Sequence, residues 1–272
     1  MGAYLYTNTA SLSAQRGLQK SQELLKQNTE RLSSGKRVNS SRDDAAGVGI
    51  AKRFEGNVQG IRQGVRNAND GQAMAISGES VLEQMAQMAL RIREVAVQSA
   101  NGTYATSDRK NLDSEVQSLV SQIQDLAKNS KYNGSTLLGG TFSKAIQYSD
   151  EVSGQFTIQQ SIALTNVTAL AGAFNVTQSA GAMTTIKGVD SLLSKIASAR
   201  SNFGKAAVRL GYVAEAQAAL AEAIDGARSR IEDTDYAQET AAMTRNQILQ
   251  QAATAALAQA NAMPNVILSL IK

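Results

Sequence analysis

Apolar residues recur along most of the chain at spacings that alternate between three and four residues, which is the heptad pattern of helices that pack in a coiled coil. Three stretches show it, from Val58 to Val95, from Leu112 to Leu126 and from Val189 to Ile231. One such stretch alone indicates only a helix with a buried face. Three in one chain favour an elongated helical bundle, and at 1.5 Å per residue the third predicts a helix of roughly 60 Å.

The heptad positions define the core that we expect inside this bundle. Its predicted members are Val58, Ile61, Ile92, Leu119, Ile123, Ile196, Phe203 and Leu210. Gly71 and Gly78 stand within the first stretch. The apolar series is interrupted around these two positions and continues from Val81.

Glycine and capping residues mark where the first helices should end and begin. Gly35 follows a set of regularly spaced leucines, in the position where a left-handed glycine closes a helix. Ser41 stands three residues before Asp44, and this resembles a capping box that starts a second helix. Residues 36–40 are therefore predicted to form a linker between two helices.

Two Asn-Gly pairs predict turns. Asn101-Gly102 begins a polar run that separates the first heptad stretch from the second, and Ser107 and Asp108 are the expected caps of the second. Asn133-Gly134 lies between apolar and hydroxyl residues. There we expect a β-hairpin, so that helix gives way to strand.

From Thr141 to Ala182 the pattern becomes typical of strands. Phe156, Ile158 and Ile162 alternate with polar residues, and Thr, Ser, Gly and Val become frequent. A segment of about forty residues is too short for a large independent domain. It is predicted to be a small β-rich or irregular insert.

Both ends of the chain carry apolar residues that need a partner. Residues 252–262 are rich in Ala, and the last eight residues are mainly apolar. The tail can be covered by the thin apolar stripe of residues 4–32 or by neighbouring copies of the chain. A two-helix pair at the ends would be marginal alone, so both ends are expected to order fully only when packed between subunits. The residues assigned to this interface are Leu18, Leu25, Leu32, Ile248, Leu257, Val266, Leu268 and Leu270.

Composition argues against an enzyme. The chain has no Cys and no His, which removes disulfides, thiolate metal sites and the usual general base near neutral pH. The neighbouring carboxylates Asp43 and Asp44 are better explained as helix caps than as a catalytic pair. We expect no catalytic residues, no cofactor and no metal.

Charge and hydropathy also exclude several partners. The net charge is +4, and the basic residues are mixed with acidic ones, so no basic patch for nucleic acid is expected. The first 14 residues do not have the pattern of a secretory signal peptide, and no run of about 18 apolar residues predicts a membrane span. If the protein leaves the cell, it is expected to use another route.

Long ordered motifs at both ends resemble those of one family, the bacterial flagellins. The matching segments are Glu30–Gly47, Arg66–Gly71, Arg91–Gly102, Arg228–Ala237, Gln247–Ala252 and Leu257–Asn261. They are spread along the chain on both sides of the middle insert. Matches of this length and order are far more specific than a short motif.

The resemblance implies a mainly α fold, an elongated coiled-coil rod with paired terminal helices and a small β-hairpin or irregular insert. The expected segments are an N-terminal core helix and linker (1–40), the N-terminal half of the rod with its hairpin (41–140), the insert (141–185), the C-terminal rod helix (186–233) and the C-terminal core helix (234–272). Larger flagellins carry outer domains between the two halves. This chain has only the short insert.

The resemblance also implies a function and its partners. Flagellins are structural subunits that polymerise into the extracellular filament of the bacterial flagellum, which drives swimming. They are exported by a type III apparatus without a cleaved signal peptide, with a chaperone on the C-terminal region. They assemble beneath a cap protein and next to hook-associated junction proteins. No nucleic acid and no stable membrane insertion are implied.

The family further carries a surface recognised by an innate immune Toll-like receptor. Arg91, Gln98 and Glu115 match that motif, whereas Leu90 and Val95 stand where the family commonly has Gln and Leu. The resemblance thus implies a receptor surface of Arg91, Val95, Gln98 and Glu115. The alternative role of Arg91 and Glu115 is a solvated pair on helix faces or a contact between subunits.

Two other functions fit part of the pattern. A hook–filament junction protein has similar ends but assembles as a short ring, so copy number separates it from a filament subunit. A secreted membrane-active or receptor-binding protein would lay its amphipathic ends on lipid. The low aromatic content and the absence of a strongly cationic face argue against that function.

Overall fold

The computed structural model describes residues 7–138, 141–160 and 174–271, and for residues 160 and 264–271 it describes the backbone alone. The helices are α1 (Thr9–Ser34), α2 (Ala45–Ala100), α3 (Thr106–Asn129), α4 (Ser179–Glu232) and α5 (Tyr236–Ile271). The strands are β1 (Lys131–Tyr132), β2 (Ser135–Thr136), β3 (Phe142–Gln147) and β4 (Gln155–Gln160). The prediction of a mainly α fold is confirmed. No helix in these ranges is long and apolar enough to span a membrane.

The chain divides into two compact units. The terminal unit comprises the residues up to Gly56 and those from Ala223 onward, and the central unit comprises Asn57–Glu222. The rod was predicted at 41–140 and 186–233, whereas the terminal unit of the structure also includes the start of α2 and the end of α4.

The central unit is built on one apolar core shared by α2, α3, α4 and the two hairpins. Seven of the eight residues assigned to the core from their spacing are buried, and the eighth, Leu119, is half-buried against them. The buried seven are Val58, Ile61, Ile92, Ile123, Ile196, Phe203 and Leu210.

Helix α2 runs without a break through Gly71 and Gly78, where the apolar series is interrupted. A Cβ at position 71 would lie 3.0 Å from side-chain atoms of Ile146 and Leu210, and one at position 78 would lie 2.9 Å from the ring of Phe203. The glycines therefore admit bulky neighbours to the helix surface. Glycine in a helix costs about 1 kcal/mol relative to alanine, and the packing at these two positions offsets that cost.

The β1–β2 hairpin follows the sequence prediction. Asn133 and Gly134 both have positive φ, 45° and 77°, as a two-residue type I′ turn requires. Lys131 pairs with Thr136 and Tyr132 with Ser135.

The β3–β4 hairpin lies within the predicted insert. Its register pairs Phe142 with Gln160 and Gln147 with Gln155. Ile158 is buried and Phe156 is half-buried against the core, in agreement with the alternating pattern. Ile162, the third residue of that pattern, lies outside the described residues.

Helix α4 begins at Ser179, within the segment that was predicted to be insert up to residue 185. Its first turns contain Gly181 and two threonines, which lower helix propensity. Tertiary contacts hold them: the Ser179 hydroxyl donates to the Ala100 carbonyl at 2.9 Å, and the Thr185 hydroxyl lies beside the main chain of Asn175. These contacts cannot be seen in local sequence.

Two predicted helix caps are also wrong in detail. Helix α2 is capped by Asp44, whose Oδ1 accepts from the Gly47 N–H at 2.9 Å, and not by Ser41. Helix α3 starts after Ala105, which makes no side-chain cap, and not at Ser107 and Asp108. The loop before α3 is instead held by the guanidinium of Arg109, which donates to three carbonyl oxygens.

Candidate functional site

The two ends of the chain form an antiparallel helix pair in the terminal unit. Near the start of α1, the Asn8 side chain donates to the Ala260 carbonyl of α5 at 2.8 Å. Beyond the other end of α1, the Thr234 N–H donates to the Gly35 carbonyl at 2.9 Å. Residues 236–260 of α5 therefore pair with α1 along most of its length. The side chains of the apolar tail after Pro264, which were expected to be covered by residues 4–32 or by neighbouring copies, lie outside the described residues.

The surface between these helices is narrow and combines small and polar side chains with half-buried leucines. Residues that turn away from solvent recur at heptad spacing on both helices. On α1 they are Ser11, Ala14, Leu18, Ser21, Leu25, Asn28 and Leu32, and on α5 they are Glu239, Met243, Asn246, Gln250, Ala253, Leu257 and Ala260. Only Ser21 and Asn28 are buried within α1. The pair therefore buries little apolar surface, and its stability is marginal without further contacts.

The structure places the predicted polymerisation residues in two different environments. Leu18, Leu25, Leu32 and Leu257 are half-buried between α1 and α5 of the same chain. Ile248 points away from α1 and is 60% exposed, next to the exposed Leu249. The side chains of Val266, Leu268 and Leu270 lie outside the described residues.

A polar cluster that the sequence analysis missed lies across the pair. Asn246 Nδ2 donates to Asn28 Oδ1 at 2.9 Å, and Asn28 Nδ2 donates to Glu239 Oε1 at 2.6 Å. Arg31 Nη1 lies 3.7 Å from the other oxygen of Glu239. Asparagine at a heptad position is the signal that could have found it.

The predicted linker forms a short main-chain bridge, which we call the clasp and define as Gly35–Val38 and Ile231–Thr234. The Arg37 N–H donates to the Glu232 carbonyl at 2.7 Å, and Lys36 pairs with Asp233 as an isolated antiparallel bridge. The Lys36 ammonium also forms an ion pair with the Glu232 carboxylate. Gly35 has φ of 72°, and its N–H donates to the Arg31 carbonyl, which confirms it as the residue that closes α1.

The loop after the clasp is closed by Asp43. Its carboxylate accepts from the main-chain N–H and the hydroxyl of Ser40 and from the Asn39 N–H. The Ser40 N–H bond, followed by the Ser40 hydroxyl bond, lowers the pKa of the Asp43 carboxyl below its ordinary value. Asp43 and Asp44 thus both act in the turn that leads into α2, as their expected role in capping suggested.

Only some of the residues assigned to the receptor surface are exposed. Arg91 makes ion pairs with Glu94 at 2.7 Å and with Glu115 of α3 at 2.8 Å, and these two carboxylates raise the pKa of Arg91. The Gln98 amide donates to the Tyr104 hydroxyl at 2.9 Å. Val95, in contrast, is 0% exposed in the core of the central unit. Its assignment to that surface is therefore wrong, because its heptad position turns it inward.

Within the described ranges there is no cluster of three or more acidic side chains that could hold a metal ion. The arrangement of the terminal unit is that of a surface on which two helices pair. Its outward apolar residues, Ile248 and Leu249 among them, lie on helices whose inward faces are already paired.

Two family models match the chain. The model of the bacterial flagellin N-terminal helical region matches residues 5–143, and that of the bacterial flagellin C-terminal helical region matches residues 186–271. Together they include all five helices except the first turns of α4.

Similar proteins extend this match over the full length. The flagellin of Xenorhabdus nematophila is 34% identical over 314 residues, covering 100% of both chains. The flagellar filament 33 kDa core protein of Treponema phagedenis is 32% identical over 288 residues, covering 97% of this chain and 98% of that protein.

Among solved structures, a putative flagellar hook-associated protein from Vibrio parahaemolyticus has a similar fold. The TM-score is 0.60 with 15% sequence identity, covering 70% of this chain and 100% of that one. At this identity the likeness concerns the fold alone. The family models and the full-length relatives, however, cover nearly every residue of the helical parts, and the resemblance inferred from the terminal motifs is confirmed: the chain belongs to the bacterial flagellin family.

Proposed function

We propose that this chain polymerises through its terminal unit, with α1 and α5 packing between subunits in the inner part of the filament. Membership of the family makes the chain a structural subunit of the extracellular flagellar filament and not an enzyme. The proposal concerns which of its surfaces make the contacts between copies.

The observation that supports the proposal is the outward face of α5. Ile248 and Leu249 are both at least half exposed, although α5 already pairs with α1 on its other side. On α1, Leu12 and Leu24 are exposed as well. Apolar residues on the free faces of a marginal helix pair are stabilised when another copy covers them.

The partners implied by the family are part of the same proposal. A chaperone would bind the C-terminal region before export, and a cap protein and hook-associated junction proteins would meet the chain at the two ends of the filament. Export through a type III apparatus would deliver it to the filament tip. Recognition by the Toll-like receptor would use Arg91, Gln98 and Glu115, which are exposed or half-exposed on α2 and α3.

Seeded polymerisation tests the proposal. Purified chain added to filament fragments should give long filaments in electron micrographs, and a chain truncated after Ala252 should not. Ile248→Asp should leave the melting of the central unit unchanged yet prevent elongation, because a charge on that face would have to be desolvated between subunits. Ile248→Leu keeps the apolar face and serves as the matched control.

A substitution in the core of the central unit tests whether folding and polymerisation depend on different units. Leu210 is fully buried in the central unit, so Leu210→Asp should destabilise that unit by several kcal/mol. Elongation by the Ile248→Asp or the truncated chain would contradict the proposal. A short ring in place of a filament would point to a junction protein.

A further inference from the structure

We propose that Asn28, Glu239 and Asn246 form a polar lock that sets the register of the terminal helix pair and selects which helix segment each end of the chain accepts. The lock is defined by these three residues. It goes beyond polymerisation as such, because it specifies how the polymerising ends are aligned.

The chemistry of the three side chains gives the lock a direction. A carboxylate only accepts hydrogen bonds, so the group of Asn28 that faces Glu239 must be its NH₂. The Asn28 carbonyl oxygen is then turned toward Asn246, whose amide donates to it at 2.9 Å. Each bond thus supports the next, and Glu239 is held in turn by Arg31.

Burial makes these bonds selective. Asn28 and Asn246 are 6% and 9% exposed, and the Glu239 side chain is 12% exposed. A buried amide without a partner costs far more than a satisfied one contributes. The neighbouring Ser21 is equally buried, but its hydroxyl donates to Leu18 of its own helix, so it has no influence on the partner helix.

The spacing of the two partners penalises slippage in both directions. Glu239 and Asn246 are seven residues apart, which is one heptad, and Asn28 bonds to both. If α5 slides along α1 by one heptad, Asn28 keeps one partner and loses the other, whichever way the helix moves. The remaining heptad positions of α1 would tolerate such a shift, because Leu18, Leu25 and Leu32 are themselves seven residues apart and the other positions carry small residues.

The clasp supplies a different contact. Main-chain N–H groups of Arg37 and Val38 donate to the Glu232 carbonyl, and the Lys36 ammonium pairs with the Glu232 carboxylate, so these contacts involve no side chain at a heptad position of α1 or α5. The clasp therefore brings the ends of the two helices together, whereas the lock, two turns away along α1, distinguishes one side-chain alignment from the next. Polar residues at single heptad positions set register in coiled coils at some cost in stability.

Disulfide trapping in the full chain tests the lock, and since the chain has no cysteine, only introduced cysteines can react. The pair Ser11→Cys with Asn261→Cys reports the observed register, because these side chains lie 2.7 Å apart. Ser11→Cys with Thr254→Cys reports a slip of one heptad, and Leu18→Cys with Asn261→Cys reports the opposite slip. Each pair is oxidised both in the monomer and after seeding.

In the native background we expect the observed-register pair to dominate. Asn28→Leu with Asn246→Leu, which keeps the helices apolar and paired, should raise the ratio of slipped to observed disulfide about tenfold, the factor that corresponds to one net hydrogen bond. Ser21→Ala removes a buried hydroxyl that does not cross to α5, and it should leave the ratio unchanged. It is the matched control.

An unchanged ratio in the double leucine variant would overturn the proposal, as would a failure of the observed-register pair to form a disulfide in either state. If the leucine variant loses its terminal helices, Asn28→Ala and Asn246→Ala are measured singly and together. The lock predicts that the two changes are non-additive, because they share one bond.

The inference rests on the proposed function only for its effect on filaments. Failure to elongate with a normal disulfide ratio would contradict the proposed function and leave the lock standing.

Discussion

Arg109 holds the turn between α2 and α3 with a single guanidinium. Its three nitrogens donate to the carbonyls of Tyr104, Ser99 and Asn101 at 3.2, 2.8 and 3.0 Å. Ser99 lies in the last turn of α2, where carbonyl groups have no partner within the helix. A cation there also suits the negative end of the helix dipole.

Arg109→Ala should therefore destabilise the central unit by about 2–4 kcal/mol, because buried carbonyls lose charged donors. Urea unfolding followed by circular dichroism measures this. The neighbouring Lys110 is exposed, and Lys110→Ala should change stability by less than about 0.5 kcal/mol. Arg109→Lys should recover only part of the loss, since an ammonium cannot span three carbonyls as a planar fork does. Equal stability of the alanine variants at 109 and 110 would contradict this role.

Residues whose role is local were predictable, and residues whose role depends on a distant partner were not. Gly35 and Asn133-Gly134 need a positive φ, and that requirement can be read from neighbours in sequence. Arg109, Asn28 and Asn246 were missed, because nothing within four residues of them indicates their partners. Val95 illustrates the same contrast: its heptad spacing predicted burial correctly, whereas its assignment to a receptor surface by resemblance did not hold.

At the scale of elements, the surface of α2 is shaped to receive the β3–β4 hairpin. A Cβ at position 64 would lie 2.1 Å from the Tyr148 carbonyl oxygen, and one at position 60 would lie 2.8 Å from the Asp150 Cβ. The Asn67 side chain also donates to the Gln147 carbonyl at 2.8 Å. Gly60 and Gly64 therefore allow the turn of the hairpin to approach the main chain of α2 closely.

Gly64→Ala should consequently displace the hairpin, and the central unit should unfold at a lower urea concentration. Gly56 lies on the same helix with nothing within 4 Å of an added Cβ. Gly56→Ala should therefore be neutral or stabilise by up to about 1 kcal/mol, because alanine is the better helix former. The comparison of the two variants separates packing from propensity. A stabilising effect at position 64 would show that the hairpin does not depend on this close approach.

At the scale of the whole molecule, the two units differ in how much apolar surface their helices bury. The central unit has a continuous core that includes Leu82, Ile92, Leu192 and Phe203. In the helix pair of the terminal unit the leucines are only half-buried, and Asn28 and Asn246 are buried in its middle. Local opening is easier where few apolar contacts must be broken.

Hydrogen exchange of the monomer should reflect this difference. Amides of α2 between residues 82 and 96 and of α4 between 189 and 210 should exchange slowest. Those of α1 and α5 should exchange much faster and become protected after seeded polymerisation. Mass spectrometry of peptic peptides resolves these segments. Equal protection of α1 and the α4 core in the monomer would contradict the view that the terminal unit depends on contacts between copies.

The sequence by itself determined the long helices, the core positions within them, the β1–β2 turn, the end of α1 and the family. These features depend on periodicity and on the dihedral preferences of residues that are close in the chain, so the signal is local. The family match depends in addition on the length of the motifs and on their order along the chain.

Only the tertiary structure decided that α2 continues through Gly71 and Gly78, that α4 begins at Ser179, and that Asn28 bonds to both Glu239 and Asn246. Each of these depends on groups many residues away, such as Phe203 against Gly78 or Ala100 against Ser179. Packing contacts of this kind are worth as much as intrinsic propensity, and they are defined only once the chain has folded.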